Sequence, residues 1–218
     1  TVDQTGKVTP VTAGKVTITA KALDGSGKYG TYTVTVKNTE LTKSNTTVTL
    51  SYAKSVYAGK ERKPGVTVKY NDTVLVEGVD YTVSYSDNVN IGTATVTVTG
   101  IGNYSKEVKA QFDIVPGTPK ITTALNTNKS VSLKWTKQKL AEGYYVYRKE
   151  GTGEYKKIAT VKGTSYLDAS RVNGVKYTYM VSAYSKGKEG NQSAAKVCVF
   201  VAQPQISSIQ NVAGRKMA

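Results

Sequence analysis

Apolar and polar residues alternate one for one along most of this chain, and that pattern dictates what it can fold into. It appears in Val16-Thr17-Ile18-Thr19-Ala20, Tyr32-Thr33-Val34-Thr35-Val36 and Val66-Thr67-Val68-Lys69-Tyr70. It returns in Tyr81-Thr82-Val83-Ser84-Tyr85 and Ala94-Thr95-Val96-Thr97-Val98. A period of two is the signature of a strand, whose successive side chains leave opposite faces of a sheet. The intervening residues are mostly Thr, Ser and Lys, as expected where one face meets water. Turn-forming clusters separate the runs: Asp24-Gly25-Ser26-Gly27, Asn71-Asp72, Glu77-Gly78, Asp87-Asn88 and Gly100-Ile101-Gly102-Asn103. No stretch carries a helical period, and Gln138 to Glu142 has room for one short turn. The expected class is all-β.

With 218 residues the chain has length for two or three small domains. Sandwiches of about 80 to 100 residues fit that length. Tyr dominates the aromatics, 16 against 2 Phe and 1 Trp. Together with Thr and Val it favours a pleated, half-buried surface. No run of 18 apolar residues occurs, so membrane insertion is not expected. The chain opens at Thr1 in mid-pattern, without a charged-then-apolar leader, and reads as a stretch of a longer polypeptide.

Residues 1–38 contain Thr1-Val2-Asp3-x-x-Gly6-Lys7-Val8, then Ala13-Gly14-Lys15-Val16-Thr17-Ile18-Thr19-Ala20, then a Gly-rich turn and a second alternating run. This resembles the C-terminal half of a bacterial immunoglobulin-like domain of group 2. The resemblance implies a hairpin with an exposed edge unless strands from elsewhere complete it. Residues 39–115 run from Tyr57-Ala58-Gly59 and Lys63-Pro64 through Asp80-Tyr81 to Gly100-x-Gly102-Asn103-Tyr104-Ser105, and resemble a second immunoglobulin-like repeat. Val115-Pro116-Gly117-Thr118-Pro119 reads as a short stiff junction.

Residues 116–203 hold Val131-Ser132-Leu133-Lys134-Trp135, Gly143-Tyr144-Tyr145-Val146-Tyr147-Arg148 and Val172-Asn173-Gly174-Val175-Lys176-Tyr177 in that order. They resemble a fibronectin type III domain. The resemblance implies Trp135 in the sandwich centre, Tyr144 and Val146 inward, and Tyr145 and Tyr147 outward. It places Tyr177 at the tyrosine corner, its hydroxyl bonded back to the main chain. Residues 204–218 resemble the opening of a further fibronectin-like repeat. The expected architecture is a set of immunoglobulin-like and fibronectin type III sandwiches in line.

The chemistry of most enzymes is missing. There is no His, which removes the commonest general base and most zinc sites. The single Cys198 excludes an internal disulfide and reads as a packed thiol. Paired-carboxylate hydrolysis needs two acids flanking a cleft, and Asp80 with Asp87 is the nearest pair in one hairpin. Solvated turn residues are the simpler reading of both. Gly25-x-Gly27-x-x-Gly30 matches a dinucleotide fingerprint in letters only, because a strand follows where a helix is required. Asp87-Asn88-Val89-Asn90 lacks the acid density of a calcium loop. Five Asn-x-Ser/Thr sequons, at Asn45, Asn71, Asn103, Asn128 and Asn191, fall within Thr-rich sequence and carry no weight. No catalytic residue, cofactor or metal is expected.

Charge is the other informative feature. The net charge is +15, yet residues 39–115 balance to zero and residues 116–203 carry a surplus of ten. Such a field attracts polyanions. The expected partners are cell-wall polyanions, glycans or host surface proteins, together with adjacent domains of the same longer chain; nucleic acid is not expected. The candidate ligand-binding residues are Tyr145, Tyr147, Arg148, Lys149 and Tyr155, with Tyr166, Tyr184, Lys134, Lys156 and Lys157 nearby in sequence. Tyr supplies a rigid amphipathic face, and the basic residues add charge. Few cysteines in β modules suggest a bacterial protein outside the cell, secreted or held at the surface. The leading expectation is a non-enzymatic stalk or adhesion segment that acts by reach and display. The alternatives are a recognition module for a glycoprotein, immunoglobulin or polysaccharide, and the accessory region of a large secreted hydrolase.

Overall fold

Each alternating run becomes a strand, and no helix occurs among the described residues. The computed structural model describes residues 1–127 and 130–201. Asn128 and residues 204–218, with the further repeat expected there, lie outside the described residues. The chain divides into two compact units, Thr1–Ile114 and a second that begins at Val115.

The first unit opens with a hairpin of β1 (Gly14–Lys21) and β2 (Tyr29–Val36), paired without a slip from Gly14↔Val36 to Lys21↔Tyr29. Its turn is built by Asp24, whose Oδ1 accepts the Ser26 N–H at 2.9 Å. Gly25 and Gly27 sit at φ of 80° and 69°, where a Cβ is disfavoured. This turn is what the literal glycine fingerprint encodes. The hairpin is a two-stranded sheet whose outer edges pair with no other described strand. None of the first 38 residues is buried, and Tyr32 on its apolar face is 73% exposed. Asn38 fastens its base, donating from Nδ2 to the Gly102 carbonyl at 2.8 Å and the Tyr104 carbonyl at 3.1 Å.

A sandwich follows in the same unit. Its strands are β3 (Thr39–Glu40), β4 (Thr46–Leu50), β5 (Lys54–Val56), β6 (Val66–Tyr70), β7 (Thr73–Val74), β8 (Tyr81–Ser86), β9 (Gly92–Gly100), β10 (Tyr104–Ser105) and β11 (Glu107–Val115). One sheet has the order β4-β6-β7 and the other β5-β11-β9-β8, with a short parallel β3–β10 pair. Strand β9 shows how the pleat sorts residues. Ala94, Val96 and Val98 are fully buried, and the threonines between them stay partly exposed.

The second unit contains β12 (Ile121–Asn126), β13 (Val131–Trp135), β14 (Gly143–Glu150), β15 (Lys156–Val161), β16 (Ser165–Asp168), β17 (Lys176–Ser185), β18 (Lys188–Glu189) and β19 (Lys196–Val199). Sheet β12-β13-β16 faces sheet β15-β14-β17, which β19 extends beside β17. This three-against-four division, with the chain crossing from one sheet to the other between β13 and β14, is the fibronectin type III sandwich. Trp135 is 4% exposed and meets Tyr144 edge-on, ring centroids 5.6 Å apart. Val146, Tyr179, Val181 and Ala183 complete the same core. The Tyr177 hydroxyl accepts the Val172 N–H at 2.7 Å, closing the tyrosine corner. Gln138–Glu142 is a turn, with Leu140 at φ 59°.

Candidate functional site

Alternation along β14 sends Tyr144 and Val146 into the core and leaves Tyr145 and Tyr147 on the outer face. The partners of these rings come from the neighbouring strands. Tyr145 stacks on Tyr184 of β17 with centroids 4.6 Å apart and planes 17° from parallel. From β15, on the other side, Lys157 places its Nζ 4.3 Å from the Tyr145 centroid. Tyr184 can lie where it does because its cross-strand partner is Gly143. A Cβ there would fall 2.5 Å from the Tyr184 hydroxyl oxygen. The glycine is thus a floor for the ring, not a hinge.

Tyr147 is held by its hydroxyl, which donates to Glu189 Oε1 at 2.7 Å; the Ser182 hydroxyl donates to the same oxygen. The sequence reading missed Glu189. Its signal is the Lys186-Gly187 pair, both at positive φ (48° and 71°), which forms a tight two-residue turn. That turn sets Glu189 opposite Tyr184. Burial, and then the hydrogen bond to Glu189, push the Tyr147 hydroxyl up to about 12. A raised tyrosine value means the neutral form stabilises the fold. That contribution is complete below the ordinary value near 10 and is lost as pH rises towards about 12. Tyr147→Phe is therefore expected to lose stability at neutral pH and to show a shallower alkaline decline than the unaltered chain. Urea midpoints measured across that range check it, and parallel curves would refute the assignment.

The five residues named from sequence separate into three places. Tyr145 and Tyr147 share the outer face. Lys149 and Tyr155 meet at the β14–β15 hairpin, with the ammonium 5.1 Å from the ring centroid. Arg148 turns towards the interior. Its side chain is 13% exposed and Nη1 reaches Asp168 Oδ2 at 2.9 Å. It also lies 4.9 Å from the Tyr177 centroid. Asp168, from the opposite sheet, is completely buried and also accepts the Tyr179 hydroxyl at 2.7 Å. Burial opposes its charge, but the bonds from Arg148, Tyr179 and Ser170 hold the carboxyl below the usual carboxylate range.

A cleft of about 250 Å³ lies beside that hairpin, lined by Glu150, Glu154, Lys156 and Ile158 with the edge of Arg148. Glu150 is already paired with Arg148 Nη2 at 2.8 Å. Elsewhere Asp80 Oδ2 accepts the Val76 N–H, and the buried Asn88 donates to the Arg62 carbonyl. Asp87 occupies a turn at φ 57°. These are local structural roles. Burial pushes the Cys198 thiol up, away from the reactive thiolate. No group of three or more His, Cys, Asp or Glu that could hold a metal occurs among the described residues.

No protein-family model matches the chain. It is 32% identical over 126 residues to an amylopullulanase of Thermoanaerobacterium saccharolyticum, a stretch that is 51% of this chain and 10% of that protein. It is 33% identical over 134 residues to an amylopullulanase of Thermoanaerobacterium thermosulfurigenes, covering 60% of this chain and 7% of that protein. The chain thus spans a tenth or less of these curated relatives. Among solved structures, a Fn3-like protein from Clostridium thermocellum is 29% identical, over 42% of this chain and 96% of that one, with a TM-score of 0.33. The fibronectin type III domain of human fibronectin type III domain containing protein 3 is 20% identical over 43% of this chain and 93% of its own, with a TM-score of 0.37.

Proposed function

We propose that this chain is a non-catalytic accessory segment of a larger extracellular bacterial protein that acts on polysaccharide. The observation that carries this reading is the proportion of the similarity. About half of this chain resembles a short portion of two amylopullulanases many times its length. The architecture supports it, since β-sandwiches tied by local turns are suited to spacing and positioning. The same features serve the stalk reading. The accessory reading is preferred because the relatives bear an enzyme's name.

The experiment has two arms. The isolated chain, incubated with pullulan or amylopectin, is expected to release no reducing ends. Deleting it from the longer polypeptide is expected to leave turnover of a soluble maltooligosaccharide unchanged and to lower turnover of insoluble granules several-fold, because a positioning segment acts through effective concentration at a surface. Hydrolysis by the isolated chain, or loss of the soluble activity on deletion, would overturn the proposal.

A further inference from the structure

The register of the second unit aligns three lysines on the face that carries Tyr145 and Tyr147. Lys157 pairs with Tyr147, Lys149 lies two residues beyond Tyr147 on the same strand, and Lys149 pairs with Thr178. Lys176 lies two residues before Thr178. The three therefore step across β15, β14 and β17 as diagonal neighbours on one face. Such neighbours stand about 7–8 Å apart in an antiparallel sheet, and like charges so placed oppose each other.

No carboxylate lies within ion-pair distance of Lys149, Lys157 or Lys176 among the described residues. Four of the five acids of residues 116–203 are engaged elsewhere, and the fifth, Glu154, is exposed at the cleft beside Lys156. Asp168 and Glu150 hold Arg148, Glu189 holds Tyr147 and Ser182, and Glu142 accepts the Lys186 N–H. The described residues thus leave a stripe of positive charge without an ion-pair partner.

We propose that this face binds an acidic polysaccharide, a polymer of pyranose rings bearing carboxylates. Charge complementarity to the lysine stripe names the anion. The tyrosines beside the stripe name the ring. Tyr145 and Tyr184 form a half-buried aromatic floor whose hydroxyls add donors for sugar oxygens. A polymer of glycerol phosphate has no ring to meet that floor. An acidic protein needs a desolvated anchor pocket, whereas here the rings are packed on each other and on Lys157. The inference stands apart from the accessory role, since an acidic polymer can be bound whether or not a hydrolase adjoins.

The test uses the full chain and polygalacturonate, with poly(glycerol phosphate) and neutral amylopectin as comparisons, at low and physiological salt. Polygalacturonate is expected to bind most tightly and to weaken as salt rises. The triple change Lys149→Ala, Lys157→Ala and Lys176→Ala is expected to lower its affinity about ten-fold or more. A charge-matched triple in the first unit, Lys43→Ala, Lys60→Ala and Lys109→Ala, is expected to change it less than about two-fold. Tyr145→Leu is expected to weaken polygalacturonate and leave poly(glycerol phosphate) unaffected. Unchanged thermal transitions establish that the lysine variants fold. Four outcomes would overturn the proposal: no binding at low salt, equal loss in both triples, equal binding of both polyanions with no effect of Tyr145→Leu, or capture of an acidic protein without polygalacturonate.

Discussion

Asp168→Asn is expected to destabilise the second unit by about 3 kcal/mol at neutral pH, the usual consequence of removing one partner from a buried ion pair. The carboxylate is completely buried between the sheets and joins Arg148 of β14, Tyr179 of β17 and Ser170 just beyond its own strand. Asparagine keeps the shape but leaves the Arg148 guanidinium, 13% exposed, without its counter-charge. The pH dependence follows from the depressed carboxyl of Asp168. Its stabilisation is present above the unfolded carboxylate value near 3.9 and is lost as pH falls through the lower folded value. The unaltered chain should therefore lose stability on acidification, and the variant should start lower and decline less. The single Trp makes the measurement specific, because Trp135 reports urea unfolding of the second unit alone. Equal acid slopes in the two proteins would show that Asp168 is not the linked group.

Trp135→Ala is expected to cost about 4 kcal/mol, the range for truncating a buried aromatic. The ring packs among Tyr144 and the aliphatic residues of both sheets. Trp135→Phe is expected to cost about 1–2 kcal/mol. The reason is specific to this site: the buried indole Nε1 has no hydrogen-bond partner among the described residues, so phenylalanine loses volume but none of their bonds. Amide hydrogen exchange in β13 and β14 measures both variants without the lost fluorophore. A phenylalanine variant as unstable as the alanine one would mean that the indole N–H is satisfied after all.

The candidate site shows where sequence reading ran out. The resemblance to fibronectin type III implies Tyr145 and Tyr147 outward, and the pleat places them there. The same alternation sends Arg148 inward. Its charge argued for the surface, and only Asp168, twenty residues on and in the other sheet, makes the interior tolerable. Glu189 went unremarked because its role depends on Tyr147, 42 residues away in sequence and two strands across the sheet. The purpose of Gly143 appears only once Tyr184 lies across it.

The all-β class, the turns, the face each strand buries and the uneven charge are written in local sequence, and the resemblance to fibronectin type III adds the tyrosine corner at Tyr177. The local features depend on interactions within a few residues: a two-residue pleat, positive-φ glycines, and a count of Lys against Asp and Glu. Tertiary structure alone decided which charges are internal and which are displayed. It turned Arg148 inward onto the buried Asp168 and left Lys149, Lys157 and Lys176 aligned on the outer face. The physical reason is that alternation specifies a face but not its neighbour. The strength of a charge is set by what stands across from it and by how much water lies between, and strand register and sheet packing settle both.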